Sequence, residues 1–312
     1  MYILTDYISD SGKLLPGNQR YSHSCYAHRG IRRLALACSV QLDPWKFPYS
    51  PYLSRPNKDN GTKDPNGVAH LYGSNFQAVS VAQKGFGYLN GSTSEKPIFG
   101  PNLTDALDFT DNRLGGLIDK LKGANIYDCT LLIVSAKHGQ SPIDPTLSIK
   151  IPTAVLQNAT SVEFAYVTAD DGAYIWLVDP SPDNLNQAKS DLLKSNSTMV
   201  AQIYAGSEVY QNGFGDPRYD PRVPDLVVRS KIGVIYASPT AAKNMEHGGI
   251  NPDDLTVAMF VHNPKLQGKT INDLVYTRQV AVTALEALGA PVTELDGAQA
   301  DGTVGLPGLN LS

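Results

Sequence analysis

The stretch Cys129-Thr-Leu-Leu-Ile-Val-Ser135, followed by Ala-Lys-His-Gly-Gln-Ser-Pro142, decides the fold. Its first half is a nearly continuous apolar run, which is typical of a strand buried on both faces of a parallel sheet. Apolar residues at helical spacing predict a helix before it, from about Asn102 or Thr104 to Gly123. A helix that leads into a buried strand over a short turn is an αβ unit, so the sequence predicts an α/β fold.

Further short elements are predicted on the C-terminal side of this unit. The expected strands are 164–168, 173–178, 225–228, 233–236 and 255–261, and the expected helices are 182–194 and 277–288. The first two strands form an antiparallel hairpin in this prediction, because Asp170-Asp-Gly172 separates them. These elements together predict an α/β sandwich with a mixed sheet.

The composition is that of a globular protein and excludes several classes. The 312 residues are 42% hydrophobic and 18% charged, and 26 basic against 30 acidic residues give a net charge of −4. Binding to nucleic acid without sequence preference needs a basic surface, so no nucleic-acid partner is expected. No apolar run approaches the ~18–20 residues of a membrane span. Three cysteines are too few for a disulfide framework.

The N-terminal part differs from the rest of the chain. Residues 1–66 show little periodicity and contain five prolines between 44 and 65, so we expect an irregular segment there and a folded domain over 67–312. No secretory signal peptide is predicted, because an acidic residue, Asp6, follows Met1 almost at once. Six glycosylation sequons nevertheless indicate a secreted protein, and they begin at Asn60, Asn90, Asn102, Asn158, Asn196 and Asn310. Loss of N-terminal residues from a secreted, full-length parent would reconcile the two signs.

Two histidines stand before glycines close to predicted strands. His138 directly follows the most apolar strand, at the edge where open α/β sheets place their ligands. His247 lies in Glu246-His-Gly-Gly249, shortly before the strand predicted at 255–261. A neutral imidazole is a good ligand for zinc and similar metals. The spacing of 109 residues does not require the two side chains to meet.

An ordered set of motifs resembles a known family. The motifs are Gly73–Lys84, Thr104–Gly115, Leu131–Pro142, Arg222–Asp225, Glu246–Gly249 and Thr277–Gly289. In this order they resemble the type I phosphodiesterase/nucleotide pyrophosphatase family of the alkaline phosphatase superfamily, over about residues 68–312. The resemblance implies an alkaline-phosphatase-like three-layer sandwich with a mostly parallel mixed sheet and helices on both faces. It also implies a hairpin near 161–180 and a fold that is incomplete at its N-terminal side.

The resemblance implies a hydrolase for small-molecule phosphoric esters, either diesters or nucleotide pyrophosphates. Such enzymes use two divalent ions, typically zinc, to activate a Thr or Ser hydroxyl. On this resemblance His138 and His247 are metal ligands, and Lys137 and Gln140 are candidates for phosphate contact. Lys137 stands where most relatives have a metal-binding Asp, and an ammonium group cannot coordinate a cation. Residues 1–66 offer no counterpart of the early Asp or of the hydroxyl nucleophile, so the nucleophile is unknown.

These departures leave two alternatives open. The chain could be a divergent hydrolase in which Ala-Lys-His-Gly-Gln-Ser-Pro is the normal form, with Lys137 contacting phosphate in place of one ion. It could instead be a catalytically inactive homologue that uses the same scaffold for binding. A sulfatase, a further option, is disfavoured because the Cys/Ser-x-Pro-x-Arg motif is absent from the sequence.

Overall fold

A computed structural model describes residues 70–309 and the backbone of Tyr2–Ile3. Its helices are α1 (Ala78–Phe86), α2 (Pro101–Gly123), α3 (Ala154–Asn158), α4 (Pro182–Lys194), α5 (Ser207–Gln211), α6 (Pro252–Leu255), α7 (Gln279–Leu288) and α8 (Asp296–Asp301). Its strands are β1 (Tyr2–Ile3), β2 (Ser74–Asn75), β3 (Leu132–Ser135), β4 (Ile149–Ile151), β5 (Phe164–Ala169), β6 (Gly172–Leu177), β7 (Val200–Ala205), β8 (Leu226–Ser230), β9 (Val234–Tyr236) and β10 (Met259–His262). Short 3₁₀ turns lie at Tyr127–Cys129, Pro145–Leu147, Asn196–Thr198 and Val292–Glu294.

The chain divides into two units, which alternate along the sequence. Unit 1 comprises residues 1–80, 105–137 and 257–312, and unit 2 comprises 81–104 and 138–256. The larger part of unit 2 is therefore inserted between β3 and β10, two strands that pair with each other. The boundary predicted between residues 66 and 67 lies outside the described residues and stays a prediction.

Unit 1 contains the predicted αβ unit and a mixed sheet. The strand order is β10-β3-β1-β2, in which β1 runs parallel to both β2 and β3 while β10 is antiparallel to β3. The helix expected from about residue 102 to Gly123 is α2, and the apolar run before His138 forms β3. The predicted α/β class and mixed sheet are thus present in this unit.

The central strand β3 is buried on both faces, as its apolar run predicts. Leu132 and Val134 pack in a cluster with residues of α2, whereas Leu131 and Ile133 pack with residues of α7. The alternation follows from the two-residue period of a strand, whose side chains point to opposite faces in turn. Unit 1 therefore has helices on both faces of its sheet.

Unit 2 is built on an antiparallel sheet with the order β5-β6-β8-β7, and a separate parallel pair joins β4 to β9. The predicted hairpin is β5 and β6, whereas the antiparallel pairing of β7 and β8 had no counterpart in the sequence analysis. One face packs Ile175 and Leu226 against Leu156 of α3 and Leu192 of α4. The other face packs Val227 against Val209 of α5.

The two adjacent leucines near the end of α4 test this packing. Leu192 is 0% exposed and lies in the core of unit 2, whereas Leu193 is 43% exposed. We expect Leu192→Ala to lower the free energy of unfolding by about 2–5 kcal/mol, because it removes transfer free energy and leaves a cavity. The matched variant Leu193→Ala should cost under about 1 kcal/mol. Urea unfolding of both variants checks the expectation, and equal losses would contradict the described packing.

Candidate functional site

The turn that carries His138 is fixed by a very close backbone approach. β3 ends at Ser135, and the N–H of Gly139 donates to the carbonyl oxygen of Asp254 at 2.7 Å. A Cβ atom on residue 139 would lie only 1.8 Å from the carbonyl oxygen of Asp253, so only glycine fits there. The imidazole Nδ1 of His138 lies 2.7 Å from the carbonyl oxygen of Gly139. The half-buried ring of His138 is thus held by local contacts.

The loop that carries His247 is anchored by its neighbours on both sides. Glu246 is buried, and its Oε2 accepts a hydrogen bond from the backbone N–H of His247 at 3.1 Å. Gly248 has φ +104°, a conformation that L side chains rarely adopt. The N–H of Gly249 then donates to Oδ1 of Asp171 at 2.6 Å. Both ends of the short loop are therefore tied to buried carboxylates.

The structure brings the two histidines together, which the sequence spacing did not require. Ser141 and Glu246 form an antiparallel bridge in which each backbone N–H donates to the partner's carbonyl oxygen at 2.8 Å. The rings of His138 and His247 stack, with centroids 3.9 Å apart and planes inclined by 27°. We refer to this arrangement as the histidine pair.

Two lysines neutralise Glu246 beside the histidine pair. Nζ of Lys84 and Nζ of Lys243 each lie 2.5 Å from a carboxylate oxygen of Glu246, and Lys243 also lies 3.3 Å from Oδ1 of Asp170. Burial alone would raise the pKa of Glu246, but the hydrogen bonds and charges of the lysines outweigh it and lower that pKa. Glu246 is therefore ionised at neutral pH, with Nε2 of His247 3.7 Å from its Oε2.

A second buried group consists of two carboxyls that hydrogen-bond to each other. Asp171 and Asp254 are both buried, and their side chains interact directly. Burial raises the pKa of both, and the neighbouring Asp171 helps to raise that of Asp254 to about 10. Asp254 therefore keeps its proton at neutral pH, in contact with Asp171.

The two residues expected to contact phosphate occupy different environments. Lys137 is exposed in the turn after β3. Gln140 is 1% exposed, and its Nε2 donates to Oε1 of Gln83 at 2.8 Å. Nε2 of Gln83 in turn donates to the hydroxyl of Tyr88 at 2.8 Å. Phosphate contact by Lys137 and Gln140 stays a prediction, and in the structure the amide nitrogen of Gln140 serves a buried hydrogen-bond chain.

The histidine pair does not by itself form a metal site. The lone pair of an imidazole nitrogen lies in the ring plane, and the planes of two stacked rings do not direct their lone pairs at one ion within the ~2.0–2.1 Å that zinc requires. Among residues 70–309, no group of three or more His, Cys, Asp and Glu side chains is arranged to hold a metal ion. The described residues therefore do not fit the divalent ions that the resemblance implies.

Four charged residues of the site were missed by the sequence analysis. They are Lys84, Asp171, Lys243 and Asp254. Asp171 was interpreted only as part of a hairpin turn. Asp254 could have been recognised as a candidate site residue, because Asp253-Asp254 follows His247 closely in the sequence. The two lysines carry no local signal, because their role depends on contacts with the distant Glu246.

Comparison with known proteins identifies the family. The sequence model of the type I phosphodiesterase/nucleotide pyrophosphatase family matches residues 48–250, about two thirds of the chain. The chain belongs to this family. No sequence among curated proteins matches it. The resemblance derived from the motifs is thereby confirmed.

Solved structures show the same fold at low sequence identity. Human ectonucleotide pyrophosphatase/phosphodiesterase 5 aligns with a TM-score of 0.50 and 13% identity, over 78% of this chain and 57% of its own. The wild-type alkaline phosphatase PafA aligns with a TM-score of 0.51 and 14% identity, over 73% of this chain and 48% of its own. The predicted alkaline-phosphatase-like α/β fold is confirmed, and the chain spans about half the length of these structures. In the part of the chain described, no helix is long and apolar enough to span a membrane.

The shared proton of the carboxyl pair predicts how stability depends on pH. Asp254 is protonated in the folded chain at neutral pH but ionised in the unfolded chain, because its folded pKa is raised. Folding therefore takes up a proton, and the free energy of unfolding falls as pH rises above about 4, by at most about 1.4 kcal/mol per pH unit. The fall ends where the folded group itself ionises.

Replacing Asp254 by asparagine removes this titration while keeping a hydrogen-bond donor. We expect the stability of Asp254→Asn relative to the wild type to increase steadily between pH 5 and pH 9, as measured by urea unfolding. Asp105→Asn is the matched control, because Asp105 is exposed on α2 and is not among the groups that act on the pair. Glu246, Asp253 and Tyr174 are the other titratable groups that act on the pair. A constant difference across this range would rule out the shared proton.

Proposed function

We propose that the chain hydrolyses small-molecule phosphoric esters, diesters or nucleotide pyrophosphates, at the histidine pair. The observation that carries the proposal is the meeting of His138 and His247, the two histidines of separate family motifs, at 3.9 Å between ring centroids. Family membership supports the reaction class, since the family takes its name from phosphodiesterases and nucleotide pyrophosphatases.

The proposal gives each of the candidate residues a distinct role. An imidazole can donate a hydrogen bond to a phosphoryl oxygen or move a proton near neutral pH, which suits His138 and His247. The ammonium groups of Lys84 and Lys243 are partly exposed and supply positive charge beside His247. Exposed Lys137 is proposed as a further phosphate contact, with Gln140 as a secondary one. The attacking hydroxyl is not assigned.

Zinc is included in the proposal as a cofactor only because of the family to which the chain belongs. The family implies a divalent ion, and His138 and His247 would be its ligands only in an arrangement other than the stacked one, which does not direct both imidazoles at one ion. The described residues do not complete such a site, since the two rings stack and no third donor joins them within 70–309. Metal analysis of the purified chain is therefore part of the test below.

One observation favours the alternative function, a catalytically inactive homologue that binds phosphorylated ligands. The carboxylate next to the histidine pair, that of Glu246, is already neutralised by two lysines, and Oδ1 of Asp171 already accepts the N–H of Gly249. A dication is held mainly by negative ligands, so a site in this state is suited to anions.

We also propose that the full-length parent is secreted and glycosylated. Four sequon asparagines fall within the described residues, and all four side chains are exposed, namely Asn90, Asn102, Asn158 and Asn196. Exposure is required because a glycan is bulky and stays in solvent. Expression through a eukaryotic secretory pathway should give a chain whose mass falls on treatment with an N-glycosidase. Replacement of all six sequon asparagines by Gln should abolish this shift, and an unchanged mass of the parent chain would refute the proposal.

The catalytic proposal is tested with bis(nitrophenyl) phosphate, a chromogenic phosphodiester. We expect His138→Ala and His247→Ala each to reduce turnover by on the order of 100-fold or more, since general acid–base groups contribute about that much. Thermal unfolding should remain cooperative in both variants. His70→Ala is the control, because His70 is exposed and lies outside the histidine pair.

The outcomes separate the two functions. Turnover in the wild type that survives His138→Ala unchanged would remove His138 from the reaction. Turnover together with near-stoichiometric zinc in elemental analysis would support the metal-dependent hydrolase. A folded wild type with neither zinc nor turnover would support the binding protein, and phosphate binding measured by calorimetry would then test that function.

A further inference from the structure

Two aspartates of unit 2 each contact a different histidine turn. The carbonyl oxygen of Asp254 accepts the N–H of Gly139, the residue next to His138, at 2.7 Å. Oδ1 of Asp171 accepts the N–H of Gly249, two residues after His247, at 2.6 Å. Asp171 precedes β6 and Asp254 lies in α6, so the two contacts come from separate elements.

The two aspartates are also joined to each other. Their carboxyl groups lie side by side at Gly249, where an added Cβ atom would be 3.0 Å from Oδ1 of Asp171 and 2.9 Å from Oδ2 of Asp254. Both residues are 2% exposed, so protein atoms and not bulk water surround the two groups. Oδ2 of Asp171 and Oδ1 of Asp254 have no hydrogen-bond partner among the described residues, and the neighbouring Asp171 raises the pKa of Asp254. A proton between the two carboxyls would satisfy both oxygens, because ionised carboxylates only accept.

Hydrogen bonds from two neighbouring residues hold Asp171 and Asp254 in place. The hydroxyl of Ser230 donates to the carbonyl oxygen of Asp171 at 2.5 Å, and the backbone N–H of Asn251 donates to Oδ2 of Asp254 at 3.2 Å. A Cβ atom on residue 249 would lie 2.9 Å from Oδ2 of Asp254, which shows how closely this backbone approaches the pair. The two carboxyl groups therefore have little room to move.

From these contacts we infer that Asp171 and Asp254 are positioning residues, which fix the stacked geometry of His138 and His247 by holding the backbones of Gly139 and Gly249 in their turns. The Ser141–Glu246 bridge joins the same two turns on another side. Loss of the contact between the two carboxyl groups should therefore misalign the imidazole rings, while this bridge keeps the two turns connected. The expected change in kcat rests on the proposed function, whereas the expected change in the geometry of the two rings does not.

The experiment compares three variants of the full chain. Asp254→Ala removes the side-chain contact with Asp171, whereas Asp254→Asn keeps a hydrogen-bond donor that faces Asp171. Asp225→Ala is the matched control. Asp225 is also buried, but its Oδ2 accepts from the N–H of Leu177 in β6 and not from a histidine turn. The readouts are the imidazole NMR signals of His138 and His247, assigned with the two histidine variants, and the kcat and KM for bis(nitrophenyl) phosphate.

We expect Asp254→Ala to shift both imidazole signals and to lower kcat by on the order of 100-fold with little change in KM, because a small misplacement of reacting groups has an effect of that size. Asp254→Asn should restore both signals and most of the kcat. Asp225→Ala should lower the melting temperature without moving either signal. Unshifted imidazole signals in folded Asp254→Ala would overturn the inference.

The double variant Asp171→Ala/Asp254→Ala keeps the test decisive where Asp254→Ala does not fold. Removing both carboxyls leaves no unpaired buried charge, and such double replacements are often nearly neutral in stability. We expect its imidazole signals to be shifted, and wild-type signals would overturn the inference. A wild type without turnover would refute the proposed function, while the NMR comparison would still test the positioning.

Discussion

Besides Asp225, the interior of unit 2 contains the carboxyl groups of Asp171, Glu246 and Asp254, and each of these three residues is only 2% exposed. Removing an unpaired carboxylate from water costs several kcal/mol, so the fold must supply a partner for each one. Glu246 is paired with two lysine ammonium groups, and the two aspartates share a proton. The loops that bear the histidines are attached to these same three residues, through the carboxylates of Glu246 and Asp171 and the backbone carbonyl oxygen of Asp254. The geometry of the candidate site therefore follows from how the buried charges are neutralised.

The stacking of His138 and His247 is a consequence of this anchoring. Two neutral imidazoles attract each other weakly, whereas backbone hydrogen bonds at Gly139, Ser141 and Gly249 fix the path of both loops. The glycines are needed because a side chain at 139 would collide with the carbonyl oxygen of Asp253, and one at 249 with oxygens of Asp171 and Asp254. The His-Gly dipeptide of the first motif thus has a steric reason, and that of the second has a conformational one, because Gly248 has φ +104°. Both reasons are independent of what the histidines bind.

The sequence predicted the elements whose side-chain patterns are local. The apolar run before His138, the helix ending at Gly123 and the helix over 182–194 all depend on periodicity within one segment. The sheet of unit 2 was only partly predicted, since the pairing of β7 with β8 depends on contacts that no short pattern contains. The same limit applies to the site. His138 and His247 were found from their positions next to glycines and strands, but the contact between them and the lysines at Glu246 are long-range.

The charge balance around the histidine pair bears on which ligand suits it. In unit 2 the carboxylates of Glu246 and Asp171 are directed to lysines, backbone N–H groups and a shared proton, and each is buried. The carboxylate of Glu246 adds little to the attraction of a dication, since two lysines already compensate its charge. The ammonium groups of Lys84 and Lys243 keep part of their surface in solvent and have further N–H donors. Donors of this kind, together with imidazoles, match the oxygens of a phosphate group, so the described part of the site is better suited to an anionic ester than to a bare cation.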